Sequence, residues 1–131
     1  MIRYTNSVVD ITIDHLRSGF FADWEVALSA EKLLALLQGS DYVVLALDGV
    51  PKRVIGFVTA VSDGVTCAFI PLLEVLPTYQ GQGIGTELMQ RMLDRLRDLS
   101  LVALLCTPTL QPFYARLGMR PAVGMAKRHV G

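Results

Sequence analysis

The sequence is poor in the residues that bind metals or form disulfides. It has two cysteines, Cys67 and Cys106, in separate apolar segments, and two histidines, His15 and His129. No Cys-x-x-Cys pair is present, so neither a zinc site nor a disulfide framework is expected. Free thiols are typical of the cytoplasm, and the sequence therefore predicts a cytoplasmic protein without a metal.

Long apolar runs and a net charge are also missing. No stretch approaches the roughly 20 apolar residues of a membrane span, and the N-terminus lacks the apolar core of a signal peptide. The 12 basic residues balance the 12 acidic ones, so neither a membrane nor nucleic acid is an expected partner. Acidic residues dominate 1–50 and basic residues dominate 77–131. This favours an anion near the C-terminal part, although scattered solvated charges explain it equally well.

The residues that are present predict one folded unit. A chain of 131 residues can bury roughly two-thirds of the surface that its unfolded form exposes, and no repeat or linker divides it. Apolar periodicity and turn residues predict the helices and strands of this unit. Residues 13–26 are predicted to be helical or irregular, and residues 101–106 to form a buried strand. Pro71 cannot donate a ladder hydrogen bond, so a bulge is expected near it. The other predicted strands are 1–9, 41–49, 53–64, 65–76 and 120–130, and the other predicted helices are 29–39, 84–99 and 110–118.

Three alternate glycines, Gly81, Gly83 and Gly85, stand between a predicted strand and an amphipathic helix. A helix N-terminus offers unpaired N–H groups and the positive end of the helix dipole, and the lack of side chains lets a phosphate or pyrophosphate approach the backbone. A strand-to-helix turn that needs small residues is the alternative. The spacing fits neither a P-loop nor the dinucleotide motif, because no Lys-Ser/Thr follows and Thr86 occupies the place of the last glycine.

The stretch VLPTYQGQGIG, residues 75–85, resembles the Gln/Arg-x-x-Gly-x-Gly/Ala motif of the GCN5-related N-acetyltransferases. A second stretch, PFYARLGM at 112–119, is similar to the aromatic-Tyr-x-x-x-Gly-Phe segment of that family, with Met119 in place of Phe. The order of the predicted elements also resembles the family over nearly the whole chain. The resemblance implies an α/β (α+β) fold, in which helices flank a mixed twisted central sheet in a single domain over 1–131.

The resemblance also implies the reaction, which is direct transfer of an acyl group, most often acetyl, from CoA to an amine. The Val75 N–H would stabilise the negative thioester oxygen, and Tyr114 would protonate the departing thiolate. The backbone at Leu73, Glu74 and Val75 would align the pantetheine where an antiparallel strand pair separates at Pro71. The separation of this strand from 101–106 would form the cofactor cleft. The pyrophosphate would lie on Gln80, Gly81, Gln82, Gly83, Ile84, Gly85 and Thr86.

Glu74 is the one carboxylate between Gly64 and Thr86. Its apolar neighbours predict burial and a raised pKa, which suits a general base acting on the amine. Glu74 could instead hold a backbone group or orient the amine, and many members of the family use no single base. The chain departs from some relatives in having Thr107 and Pro108 where they have Asn, and in lacking a carboxylate in 101–106.

The acceptor amine is not identified by the sequence. Phe20, Phe21 and Trp24 beside Asp23 and Glu25 could hold a cationic amine with apolar bulk, but core packing or a dimer contact explains the aromatics equally well. Small amines, peptide N-termini and lysines all stay open, and so does a homodimer. The alternative functions are a non-catalytic acyl-CoA-binding domain, which has no need of Tyr114, and a phosphate-binding structural module.

Overall fold

The computed structural model describes residues 1–17, 19–21 and 28–129. Its strands are β1 (Arg3–Thr5), β2 (Tyr42–Asp48), β3 (Arg53–Ser62), β4 (Cys67–Val75) and β5 (Leu101–Ala103). Its helices are α1 (Ala30–Gly39), α2 (Ile84–Arg95) and α3 (Gln111–Ala115), and single 3-10 turns lie at Ile13–Leu16, Pro77–Tyr79 and Pro108–Leu110.

The five strands form one sheet in the order β1-β2-β3-β4-β5. The first four are antiparallel neighbours, whereas β4 and β5 are parallel because α2 carries the chain back across the sheet. The mixed sheet with flanking helices is thereby confirmed. The register of β3 and β4 shifts between Thr59 and Val61, opposite Pro71, so the bulge predicted near that proline is confirmed as well.

α2 covers one face of the sheet with an apolar stripe that includes Ile84, Leu88 and Met92, all buried. Gly56 on β3 lets the helix approach closely, because a Cβ there would lie 3.2 Å from Leu88 Cδ1 and 3.3 Å from the carbonyl oxygen of Glu74. This packing places the N-terminus of α2 beside the C-terminal end of β4.

The opposite face is covered by α1, by the 3-10 turn Ile13–Leu16 and by Phe20 and Phe21. Ser29 caps α1 through a 3.1 Å hydrogen bond from the Lys32 N–H to its hydroxyl, a role that serine commonly takes at the start of a helix. The rings of Phe20 and Phe21 pack edge-on against Phe57 of β3, with centroids 5.1 and 6.1 Å away. These two phenylalanines are therefore core residues, and Asp23, Trp24 and Glu25 lie outside the described residues.

Several predicted elements are wrong or shorter than expected. No strand forms in residues 120–129, which are all exposed, because a strand needs a neighbour and none lies beside them. The predicted buried strand 101–106 is only β5, at the sheet edge, and Leu101 is 61% exposed there. Residues 13–16 form a 3-10 turn, β1 has three residues, and α2 ends at Arg95 rather than at 99.

Candidate active site

The glycine loop connects β4 to α2 in a conformation that two of its glycines make accessible. Gly81 and Gly83 have φ angles of +79° and +84°, the left-handed region that side chains disfavour. A Cβ at either would meet nothing within 4 Å, and a Cβ at Gly85 would meet Phe113 and Val75 only at 3.9 Å. The left-handed backbone therefore explains why residues 81 and 83 are glycines. Neither the backbone conformation nor packing within the protein explains why residue 85 is one.

The loop presents the start of α2 without a protein cap. Gly83 is the N-cap residue and offers no side-chain acceptor, so the first N–H groups of the helix point out of the loop. Glu87, in the first turn, accepts a 2.7 Å hydrogen bond from Arg91 one turn along the helix. Its carboxylate is thus drawn along α2 toward Arg91.

Tyr79 and Gln80 fix the position of the loop, although the sequence predicted no such role for their side chains. The Tyr79 hydroxyl donates to Asp48 at 2.6 Å and accepts from Arg53 at 2.9 Å, which ties the loop to the β2–β3 end of the sheet. The Gln80 side-chain amide donates to the Val75 carbonyl at 3.0 Å. The signal missed was polar residues clustered at the ends of neighbouring strands.

A gap opens beside the C-terminal half of β4. The parallel pairing of β4 with β5 ends at Phe69 and Ala103, whereas β4 continues to Val75 paired with β3. The expectation that an antiparallel pair separates at Pro71 is therefore wrong, whereas the expected separation of this strand from 101–106 is confirmed. The parallel pair diverges instead, because β5 is short while the antiparallel ladder absorbs the proline in a bulge.

The backbone of β4 faces this gap at alternate residues. The Leu76 N–H donates to Ile55 of β3 at 2.9 Å, and successive N–H groups of a strand point to opposite edges. The N–H groups of Leu73 and Val75 therefore point into the gap, whereas that of Glu74 points toward β3. Two of the three residues predicted to align the pantetheine present their backbone to the gap, including the predicted oxyanion donor Val75.

Tyr114 lies on α3, half-buried at the same end of the sheet. Its neighbour Phe113 packs edge-on against it at 4.9 Å and stands next to Gly85, so α3 lies beside the N-terminus of α2. Burial raises the pKa of the Tyr114 phenol, and the nearby Cys106 and Glu74 raise it further through their negative charge. The phenol therefore stays protonated at neutral pH and can donate a proton.

Glu74 and Cys106 complete the surroundings of Tyr114. Glu74 is half-buried and pairs across the strands with Phe57, so its side chain is on the sheet face covered by the Phe20 and Phe21 rings. Cys106 is an exposed free thiol that follows β5. The sequence offered Cys106 only as a free thiol, although its place just after a parallel strand is typical of site residues.

A groove of ≈ 590 Å³ lies beside β5. It is lined by residues 100–106 and 117–122, by Leu93 of α2, and by Gln111 and Tyr114 of α3. The glycine loop is not part of this groove. The site thus has two openings that meet near Tyr114, namely the gap beside β4 and the groove beside β5.

Within the residues that the structure describes, no three His, Cys, Asp or Glu side chains are grouped as metal ligands would be. The same residues include no helix of the length and apolar character needed to cross a membrane.

Comparisons with known proteins point to one family. The sequence model described as the Acetyltransferase (GNAT) family matches residues 9–119. The chain is 34% identical over 99 residues to histone acetyltransferase TAP1 of Glycine max, covering 66% of this chain and 42% of that protein. It is 29% identical over 110 residues to the chloroplastic GCN5-related N-acetyltransferase 1 of Arabidopsis thaliana, covering 82% and 56%. The chain thus spans about half the length of these curated relatives.

Solved structures share the fold over more of their length. A protein assigned as an acetyltransferase from Deinococcus radiodurans R1 superposes with a TM-score of 0.92 at 40% identity, covering 98% of this chain and 88% of that one. A GNAT family acetyltransferase from Streptococcus pneumoniae TIGR4 gives a TM-score of 0.78 at 28% identity, covering 98% of both chains.

Proposed function

Because the chain belongs to the GNAT acetyltransferase family, we propose that it transfers an acetyl group directly from acetyl-CoA to an amine. The observation that carries this proposal is the meeting of three features at one end of the sheet. These are the uncapped start of α2 at Gly83, the backbone of β4 facing a gap, and the protonated phenol of Tyr114. Together they supply an anion site, a channel and an acid.

The glycine loop and α2 are suited to the pyrophosphate of the co-substrate. The N–H groups at the start of α2 and the positive end of the helix dipole favour an anion. Gly85 supports this assignment, since nothing in the protein requires a glycine there while a bound phosphate close to the backbone would. We assign this contact to residues 80–86, mostly through main-chain N–H groups, with the Thr86 hydroxyl as a further donor.

The end of β4 and Tyr114 are suited to the reacting group. The N–H and C=O groups of Leu73 and the N–H of Val75 can pair with the amide groups of pantetheine or with the thioester oxygen. As the neutral amine attacks the thioester carbon, the new C–N bond forms and the C–S bond breaks. The Val75 N–H stabilises the oxygen that becomes negative, and Tyr114 gives its proton to the departing sulfur.

We assign Glu74 a role in binding and deprotonating the acceptor amine. Its carboxylate lies near enough to Tyr114 to raise the pKa of the phenol, so an amine that attacks at this point meets both groups. A carboxylate there can attract a cationic amine and accept the proton that it loses. This makes Glu74 a base, or an orienting group if the proton leaves through water.

The test is thermal unfolding with and without acetyl-CoA. A ligand that binds only the folded state at 100 times its Kd stabilises it by about 2.7 kcal/mol, or roughly 10 °C for a chain of this size. We expect such a shift for the wild type and a much smaller one for Gly83→Val, whose side chain enters the anion site. No shift of the wild type at millimolar acetyl-CoA would contradict the proposal.

Gly64→Val is the matched control. Gly64 lies in the β3–β4 turn with a φ of +77° and nothing within 4 Å of its Cβ position, as at Gly83. Both variants should lose about 1–2 kcal/mol of unfolding free energy from the left-handed backbone. Acetyl-CoA should still raise the unfolding midpoint of Gly64→Val but not that of Gly83→Val. If the rise is equally reduced in both variants, its loss reflects general destabilisation rather than a blocked anion site.

A further inference from the structure

Tyr79 is held beside the glycine loop by two charged side chains. Its hydroxyl donates to Asp48 Oδ2 at 2.6 Å and accepts from Arg53 at 2.9 Å, and the Arg53 guanidinium carbon lies 5.9 Å from the centre of its ring. The bond between them is the largest cause that lowers the pKa of Asp48 and raises the pKa of Tyr79. The carboxylate therefore stays ionised and the phenol neutral, and a hydrogen bond between such groups is a strong one.

The loop beyond Tyr79 is not held by hydrogen bonds of its own backbone. The Gln80 N–H donates to the Pro77 carbonyl at 3.3 Å, and the next N–H with a protein acceptor is that of Glu87, which donates to Gly83 at 3.0 Å. Between them, the N–H groups of residues 81–86 find no acceptor within the part of the chain that the structure describes. Their directions are therefore set by how the two ends of the loop are attached.

The two ends are attached differently. The C-terminal end continues into α2, which is packed on the sheet. At the other end, the Gln80 side chain bonds to Val75 of the preceding strand, so this contact is local. Tyr79 instead reaches Asp48, which precedes it by 31 residues and ends β2. This bond alone joins the start of the loop to a distant, rigid part of the sheet through an ionised group.

We propose that Tyr79 is a positioning residue for the pyrophosphate of acetyl-CoA and acts through its hydrogen bond to Asp48. This inference rests on the proposed function, because it concerns the same co-substrate. With the bond in place, the N–H groups of residues 81–86 keep one arrangement, so little conformational freedom is lost on binding. Without it, the glycines allow the loop other conformations, and the ligand has to order it. The thioester end of the site, at Val75 and Tyr114, is not affected.

Two probes separate this role from a general effect on the fold. Acetyl-CoA carries the pyrophosphate, whereas S-acetyl-pantetheine has the same thioester end and no phosphate. In NMR titrations, Tyr79→Phe should raise the Kd for acetyl-CoA about tenfold, as expected for one lost hydrogen bond to a charged group, and change the Kd for S-acetyl-pantetheine less than about twofold. An equal rise for both probes would mean that the whole site is damaged, and would overturn the proposal.

The wild type distinguishes failure of this inference from failure of the proposed function. If the wild type does not bind acetyl-CoA, the proposed function is refuted and the positioning role with it. If the wild type binds acetyl-CoA and Tyr79→Phe binds it equally well, only the positioning role of Tyr79 is refuted.

Asp48→Asn tests the path through which Tyr79 acts. The amide keeps an oxygen in place but removes the charge, so this variant alone should also raise the Kd for acetyl-CoA. Combined with Tyr79→Phe it should raise the Kd no further, because both changes break the same bond. Additive effects of the two substitutions would show that Tyr79 does not act through Asp48.

Tyr42→Phe is the matched control. Tyr42 also packs against an arginine, with the guanidinium carbon of Arg95 4.9 Å from the centre of its ring, but it begins β2 whereas Asp48 ends that strand. Its Kd for acetyl-CoA should equal that of the wild type. A tenfold rise in this variant would show that loss of a tyrosine hydroxyl weakens binding wherever it lies in the sheet, and would contradict a specific role for Tyr79.

Discussion

At the scale of single residues, Tyr114 shows how position determines chemistry. A phenol with an ordinary pKa of 10.0 is already a weak acid, and burial beside Cys106 and Glu74 raises its pKa further. The side chain therefore keeps its proton at every physiological pH. It can give that proton to the sulfur as the C–S bond breaks and negative charge develops there, and recover one from solvent afterwards, so the environment suits a proton donor.

Tyr114→Phe should lower kcat by about 10²-fold, the lower range for loss of a general acid, and leave the Kd for acetyl-CoA nearly unchanged. The ring still packs against Phe113, so the fold is kept. The measurement is thiol release with the best amine from a screen, at saturating acetyl-CoA. At pH values above the raised pKa of Tyr114, the wild-type rate should fall as the phenol ionises. This fall in rate should be absent from the pH profile of the variant.

Tyr4→Phe is the control for this prediction. Tyr4 is also partly buried and its pKa is raised as well, but its ring stacks on Arg91 of α2 at 4.5 Å rather than in the cleft. The rate of the Tyr4→Phe variant should therefore equal that of the wild type. An unchanged kcat in Tyr114→Phe would dismiss the phenol as the acid and leave a non-catalytic acyl-CoA-binding domain as the better description.

At the scale of elements, the connection between β3 and β4 is held by the side chains of Ser62 and Asp63, and Asp63 accepts most of the hydrogen bonds. Asp63 accepts hydrogen bonds from the Thr66 hydroxyl and from the N–H groups of Val65 and Thr66, at 2.8 and 2.7 Å for the latter two. The Thr66 hydroxyl is the largest cause that holds the pKa of Asp63 far below its ordinary 3.8. The ionised form of Asp63 therefore contributes to the stability of the turn.

Asp63→Ala should lower the unfolding midpoint at pH 7, and the difference from the wild type should shrink below about pH 4. The sign follows because the unfolded chain takes up a proton near the ordinary pKa whereas the folded chain does so only at lower pH. Thermal melts from pH 7 to pH 2.5 measure it, with the exposed Asp98 mutated to Ala as the control. A difference that stays constant over this range would show that the charge of Asp63 is not what stabilises the turn.

The elements also show which parts of the fold a single sequence can predict. β2, β3, β4, α1 and α2 follow from local signals, such as the Ser29 cap and the stripe through Leu88, and their partners are near in the chain. The strand predicted at 120–130 fails because strand formation depends on a neighbour, which local periodicity cannot supply. The glycine loop was predictable from its motif, whereas the proximity of Cys106 to Tyr114 arises only when α3 folds over the end of β5.

At the scale of the whole molecule, the candidate site draws its parts from distant points of the chain. The glycine loop, the end of β4 and Tyr114 on α3 come together only in the folded protein, so a ligand that contacts all three stabilises the fold as a whole. Once acetyl-CoA exceeds its Kd, the unfolding midpoint of the wild type should rise by a similar increment for each tenfold rise in ligand concentration, and Gly83→Val should need far more ligand for the same midpoint. Differential scanning fluorimetry across a ligand series measures this, and equal curves for the two proteins would count against the shared site.

The uncharged edge of β5 has a further consequence for production of the protein. A newly synthesised chain exposes LVALLC to every other unfinished strand around it, and strand edges without charges nucleate aggregates. Folding then competes with inclusion-body formation. Slow synthesis at low temperature favours folding, and a lysine placed on this edge should improve solubility.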